Sequence, residues 1–529
     1  MSTDNYDVVV IGAGVAGLAA GAVLSRDFGK KVLVVDRAPF IGGRALSYVG
    51  RGDKVIADGI EMDVEAFNKS LGFAMCYLGK CTPDIETIFA EGLLDGRTFE
   101  AGGHGLFWGN KSRVNCVLDH LGEHVNLPLN EGLGYIVWDG EGKPGTAYQV
   151  EKHQRYQWMS EEGFAKTMGQ LRDMGTSTFE DMARLMRTPL QEWLDARGMH
   201  SEAYDYIKVL AASQTAQAEP AMTPAGDFLG YMAIARPIRM NLMAGSVATA
   251  DEPGCIAIPQ ALERVLLANG GNVWRSTAAK EAIIEDGRVR GVRLMRDGVE
   301  QTIQTDTAIC TAMPKHIFKF LPEKWFPAGW AGLIKEKFWG AGLLTGWAGT
   351  KRSLWRDIGI DERSFVYMPG VIREGYIGAV DMVMCEFTAW GDHTAKRAPE
   401  GKCEFLFSTA LTDAEMRDPA KVNRVINLCE EWARATFPTW DDDVEFIIWT
   451  PSPDAYGHWR PVGADRPDVQ SPWVEGLYFA GDQYGRRLWG GGVDGASLSA
   501  IMCVDRIMGT NLEETIFPWY HRGIPELEG

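Results

Sequence analysis

Tyr6-Asp-Val-Val-Val-Ile-Gly-Ala-Gly-Val-Ala-Gly-Leu18 is an apolar run that ends in a glycine turn. Asp7 to Ile11 reads as a buried parallel strand, because three consecutive valines leave no alternation between a wet and a dry face. Gly12, Gly14 and Gly17 then spell G-x-G-x-x-G. The first glycine allows the tight turn, the second lets a pyrophosphate approach the backbone, and the third lets the next helix pack close to the strand. That helix is expected from Val15 to about Phe28, with small residues Ala19, Ala20 and Ala22. Its first residues, Val15 and Ala16, present bare N–H groups and a positive dipole end to phosphate.

A second strand follows, Lys31-Val-Leu-Val-Val-Asp36, and Asp36 stands 19 residues past Gly17. An acid at this place accepts hydrogen bonds from a ribose hydroxyl. It suits a free 2′-hydroxyl and repels a 2′-phosphate, which favours FAD or NAD over NADP. Strand, turn, helix, strand and acid are all present, so the signal is much stronger than the glycines alone. The bland alternative is a βαβ unit that binds nothing.

The chain continues Arg37-Ala-Pro-Phe-Ile-Gly42-Gly43-Arg44. An acid followed shortly by Gly-Gly-Arg resembles the flavin amine oxidase and phytoene desaturase superfamily. The resemblance implies FAD, held without a covalent bond, with Arg37, Gly43 and Arg44 joining Asp36 in the cofactor site. It also places Asp58, Gly59 and Ile60, from Val55-Ile-Ala-Asp-Gly-Ile60, beside the flavin ring. Near the end, Val474-Glu-Gly-Leu-Tyr-Phe-Ala-Gly481-Asp482 reads as a strand closed by Gly-Asp, and Gly490-Gly-Gly-Val493-Asp-Gly-Ala496 opens a helix to about Met508. In the superfamily the matching aspartate, here Asp482, binds the ribityl chain next to Gly481. Gly491, Gly492, Val493 and Ala496 fall at the helix start that faces the flavin pyrimidine ring. N–H groups and a helix dipole there stabilise negative charge on a reduced flavin.

Between these two motifs, Pro259 to Asn269 reads as an amphipathic helix, Asn272 to Thr277 as a strand, Ala279–Ile284 and Val289–Met295 as a hairpin, and Asp306 to Met313 as a buried strand. This order resembles the middle FAD-binding segment of the superfamily, where the position matching Ala279 touches the adenine side. The triple glycine after Gly-Asp resembles the phytoene desaturase branch more than the monoamine oxidases.

With 529 residues the chain exceeds the size of one core, so two domains are expected. The expected class is α/β. Residues 1–70, 246–320 and 465–512 form a discontinuous Rossmann-type, glutathione-reductase-like FAD domain. Residues 71–245 and 321–464 form an α+β substrate domain, and 513–529 a solvated tail. Helical patterns are expected after Thr178 and Pro189 and over Asn423–Thr436. Strands are expected near 343–349, 365–368, 380–390, 404–408 and 444–449. Trp325, Trp330, Trp339, Trp347, Trp355 and Trp390 are read mainly as packing, with one or two available to wall an apolar pocket.

A net charge of −18 argues against nucleic acid and against an anionic membrane surface. No apolar run is long enough to cross a bilayer, and the polar N-terminus carries no leader, so a cytoplasmic protein is expected. Nine scattered cysteines with no C-x-x-C read as free thiols, with no metal site.

The expected reaction is FAD-dependent dehydrogenation or desaturation of a small-to-medium apolar substrate, a hydride leaving for flavin N5. The electron acceptor (oxygen, a quinone or a carrier) and the oligomeric state stay open. The alternatives are amine oxidation at a C–N bond and a non-redox isomerase or hydratase. Candidate catalytic residues come from Asp454-Ala-Tyr456-Gly-His458-Trp-Arg460 and from Tyr484, Arg486, Arg487 and Trp489. Tyr456 or His458 would serve as acid or base, and Arg460 would polarise a carbonyl or hold a carboxylate. His104, in a glycine-rich turn, is a weaker candidate, since loop histidines are usually just solvated.

Overall fold

The computed structural model describes residues 5–102, 106–127, 132–138, 144–150, 159–199, 220–234, 247–248, 253–338, 340–361, 364–372, 380–388, 397–457, 461–485 and 491–518, and singly 201, 204, 207 and 211. The first sheet is built from β1 (Val8–Ile11), β2 (Val32–Val35), β3 (Asn272–Trp274), β4 (Ala308–Cys310) and β5 (Leu477–Phe479), in the spatial order β3-β2-β1-β4-β5. Every neighbouring pair is parallel, with Val9 opposite both Leu33 and Ala308. Helices α1 (Val15–Phe28), α2 (Ala257–Ala268) and α3 (Gly492–Met508) accompany it, and α1 packs on both others. All residues of β1 and β2 are buried, so their sequences carry valine without alternation. Helix α1 stops at Gly29, whose φ of 61° is the left-handed conformation that closes a helix.

The expected hairpin after β3 is longer than anticipated. Strands Thr277–Glu285, Arg288–Arg296 and Val299–Gln304 make a three-stranded antiparallel meander. A four-stranded sheet runs Ile60–Met62, Lys54–Ala57, Ser47–Arg51, Thr98–Glu100. An eight-stranded sheet takes up the β-like runs of the second half, in the order Pro144–Val150, Gly132–Trp138, Ser364–Ile372, Val380–Thr388, Cys403–Leu411, Gly340–Thr350, Val444–Gly457, Cys81–Thr82. Its first two strands fall where only helical patterns were expected. Helix Pro419–Thr436 lays Val422, Val425, Ile426 and Cys429 into a second core, shared with Trp355, Trp440 and Trp449. Trp347 and Trp355 are buried and Trp325 and Trp330 half-buried, while Trp339 and Trp390 lie outside the described residues.

The tail begins later than expected. Helix Leu512–Ile516 docks through Ile516 and Phe517, both buried, because their apolar side chains gain by leaving water.

A buried ion cluster ties the eight-stranded sheet to the four-stranded one. Arg397, with 0% of its side chain exposed, holds Glu100 through two donors and Glu404 at 3.3 Å. Arg97 joins Glu445 at 2.6 Å and donates to the Cys403 carbonyl. Glu100 in turn accepts from Ser47 and from the Cys255 N–H just before α2.

Candidate functional site

The glycines of the first turn answer to different constraints. Gly12 has φ of 114°, and a Cβ on it would sit 2.1 Å from Thr311 Oγ1. A Cβ on Gly17 would fall 2.0 Å from the Gly12 carbonyl oxygen. Gly14 differs: its φ of −81° suits any residue, and a Cβ there would meet only the Gly42 oxygen, at 3.9 Å. Among the described residues no protein atom explains this glycine. The space before it is the place a phosphate needs.

The second glycine pair leans on the first. Gly42 donates to the Ala13 carbonyl at 2.9 Å and bridges Gly14, and a Cβ on Gly43 would meet the Gly14 Cα at 3.6 Å. Helices α1 and α3 both begin on a glycine, Gly14 and Gly491, that offers no side-chain acceptor. Helices starting at Val64, Ile85 and Arg113 instead begin on Asp63, Asp84 and Ser112, which accept from their first turns. The first-turn N–H groups of α1 (Val15, Ala16) and α3 (Gly492, Val493) are therefore left without a capping side chain, as an outside acceptor requires.

Asp36 follows β2, with one oxygen on the Ala13 N–H and the other on the Ala38 N–H, both at 2.8 Å. Burial pushes its pKa above the ordinary carboxylate value, against the pull of these two N–H groups. Each oxygen retains a lone pair for a further donor. The Arg37 guanidinium lies over the Phe73 ring, at 5.8 Å. Asp58, in the turn before Gly59 and Ile60, is held by protein groups. It accepts from the Ile41 N–H, from Gln260 and from Arg275, the last at 3.0 Å. It thereby braces the Gly42–Gly43 turn against α2. Ala279 sits at a register shift in its strand, opposite Leu294.

Arg44 and Asp482, 438 residues apart, form an ion pair at 2.7 Å, with Asp482 only 3% exposed. The adjacent Gly481, at φ of 150°, donates its N–H to Ser499 on α3. Ala496 lies one turn into α3 and is buried. Sequence reasoning missed a further pair. Asp494, in the first turn of α3, accepts from the Arg113 backbone N–H at 2.7 Å and from its guanidinium at 2.6 Å. The acid in a helix's first turn was visible, but nothing local pointed to a partner 381 residues away.

On the substrate side, strand Val444–Gly457 carries Tyr456 opposite Ala341, near the end of the strand. Earlier in the same strand, Ser452 Oγ lies 2.8 Å from Cys76 Sγ, and a Cβ on Gly102 would touch both. Burial pushes the Cys76 thiol up to about 11, against a lowering by Ser452 and Arg44, so Cys76 is within electrostatic reach of the Arg44–Asp482 pair. His458, Arg460, Arg486, Arg487, Trp489 and His104 lie outside the described residues. Tyr484 requires a correction. Its ring stacks on Phe479 at 5.2 Å and its hydroxyl donates to the Ala312 carbonyl at 2.7 Å. Full burial holds its pKa well above that of an ordinary tyrosine. A hydroxyl so committed is a packing group, not an acid or base. Among the described residues no cluster has the makings of a metal site, and no helix is long and apolar enough to cross a membrane.

Comparison with known proteins gives five findings. A family of flavin-containing amine oxidoreductases matches residues 87–508, and an NAD(P)-binding Rossmann-like domain matches residues 10–66. An oxidoreductase from Methanosarcina mazei superposes with a TM-score of 0.64 at 18% identity, covering 95% of this chain and 100% of that one. Putrescine oxidase bound to putrescine superposes with a TM-score of 0.64 at 16% identity, over 96% and 100% of the two chains. Inactive all-trans-retinol 13,14-reductase of Danio rerio is 49% identical over 49 residues, 9% of this chain and 8% of that protein.

Proposed function

The chain belongs to the flavin-containing amine oxidoreductases, and from that premise we propose an FAD-dependent dehydrogenase or desaturase that removes a hydride and a proton from a small-to-medium apolar substrate. The observation that carries the FAD assignment is the cradle at Gly14, open where neither Gly12 nor Gly17 is. In this reading the diphosphate lies over Gly14, Val15, Ala16 and Gly17, with Gly43 and Arg44 closing over it. Asp36, flanked by Arg37, holds the ribose of the adenosine half, and Ala279 lines the adenine. Asp482 takes the ribityl hydroxyls, and Gly59 and Ile60 flank the ring. The N–H groups at Gly491, Gly492 and Val493, with Ala496 behind them, face the pyrimidine edge. When bound, FAD supplies the two-electron acceptor.

The chain's own part is to seat the substrate and take the proton. We assign the proton to Tyr456 or His458, and carbonyl polarisation to Arg460. The apolar-substrate reading draws on the triple-glycine motif and, over 49 residues alone, on the likeness to a protein named as an inactive retinol reductase. Amine oxidation is the second reading, favoured by the family name and by the likeness to putrescine oxidase.

The test is an anaerobic absorption spectrum of the holoprotein with cyclic ketones, polyenes and amines in turn. Bleaching by a ketone or polyene supports the first reading. Bleaching by an amine, with ammonia or free amine released, moves the assignment to the second. Conversion without bleaching indicates an isomerase or hydratase, and a colourless protein that cannot be reconstituted with FAD removes the cofactor assignment.

A further inference from the structure

We propose that Arg113 is a positioning residue that sets the reduction potential of the bound flavin by neutralising Asp494 at the start of α3. The inference rests on the FAD reading above. The N-terminus of a helix presents positive charge equivalent to about half a proton, confined to the first turn. Asp494 stands in that first turn and works against the field. An unopposed carboxylate there would cancel what the bare N–H groups of Gly492 and Val493 provide.

Arg113 removes this conflict in two ways. Its guanidinium meets one carboxylate oxygen at 2.6 Å and its backbone N–H meets the other at 2.7 Å. The side chain is 2% exposed, so water screens the pair little. Both contacts come from the start of helix Arg113–Leu121, which packs on α3, so the pair also fixes how α3 begins. With Asp494 neutralised, the net field at the α3 N-terminus stays positive. Two-electron reduction with uptake of one proton leaves one negative charge on the flavin ring system. A positive field there raises the potential, and an uncompensated carboxylate lowers it.

The test is the midpoint potential of the FAD-loaded full-length protein, titrated with dithionite against a reference dye. In Arg113→Gln the reduction equilibrium should shift about tenfold toward oxidised flavin, which is about 30 mV for a two-electron couple. In Asp494→Asn it should shift by a similar factor the other way. The double variant should return to within a few-fold of the parent, and Arg113→Lys should recover most of the loss. Opposite signs are the signature, because mere loosening of the helix would move both single variants in one direction. Should Arg113→Gln fail to fold, Asp494→Asn alone decides the matter. An unchanged or lowered potential in Asp494→Asn overturns the proposal. A parent protein that never holds flavin overturns the FAD reading instead, so the two failures are distinct.

Discussion

Gly14 and Gly17 are three residues apart, and they predict opposite outcomes for the same substitution. Gly17→Ala drives a methyl group into the Gly12 carbonyl. Overpacking of this kind costs about 3 kcal/mol or more where backbone cannot yield, so folded protein should be lost. Gly14→Ala places its methyl in open space at an ordinary φ. Its apoprotein should unfold at the parent's temperature while its FAD affinity drops at least tenfold, measured by fluorescence titration of the deflavinated protein. Equal loss of stability in the two variants would contradict the cradle. Tyr484 supplies a third case. Tyr484→Phe removes one hydrogen bond to Ala312, a cost of about 1 kcal/mol, and should leave the turnover number and its pH profile unchanged.

Among the elements, α3 is the most exposed to test. Gly491→Ser gives it an acceptor for its own first-turn N–H groups, at a position whose extended backbone (φ −123°, ψ 166°) suits a capping serine. Chain stability should hold or rise by a few tenths of a kcal/mol, since serine is only slightly the better cap, while flavin is retained less well on gel filtration. Tighter flavin binding in this variant would contradict the role given to those N–H groups. The start and end of α3 were legible in the sequence because glycines mark both, Gly491 at the cap and Gly509 in the left-handed conformation after Met508. The parallel strands were legible because burial on both faces writes itself as unbroken valine. The hairpin of Gly132–Trp138 and Pro144–Val150 was not foreseen, although the sequence between its arms, Asp139-Gly-Glu-Gly-Lys143, is rich in turn-forming residues. Its arms mix glycine and polar residues with the apolar ones, so they show no firm two-residue period. Pairs such as Arg44–Asp482, Arg113–Asp494 and Cys76–Ser452 have no local signature at all, since only the folded sheet order brings their segments together.

At the scale of the whole molecule, the Arg397 cluster makes stability depend on pH. Burial and the neighbouring Glu100 push the Glu404 carboxyl up to about 8, although Arg397 pulls it down. A carboxyl whose pKa is higher in the folded chain binds its proton more tightly there, so its contribution is complete below the unfolded value of 4.5 and is lost as pH rises through about 8. The thermal midpoint should therefore fall between about pH 5 and pH 9, and Glu404→Gln should remove that part of the slope. An identical slope in the variant would show the proton to reside elsewhere. The parallel sheet carries another consequence, one of timing. Strand β1 pairs with β2 at once, but its other neighbour, β4, lies some three hundred residues downstream, and β5 comes only at Leu477. A ribosome adding roughly 5–20 residues per second leaves that edge of β1 bare for about 15 to 60 s, and the far edge of β4 then waits about 8 to 33 s more for β5. During synthesis the nascent chain thus carries an apolar strand with unmet backbone groups, a ready seed for mispairing. Its yield in a cell should depend on chaperones that shelter that edge until the last strand emerges.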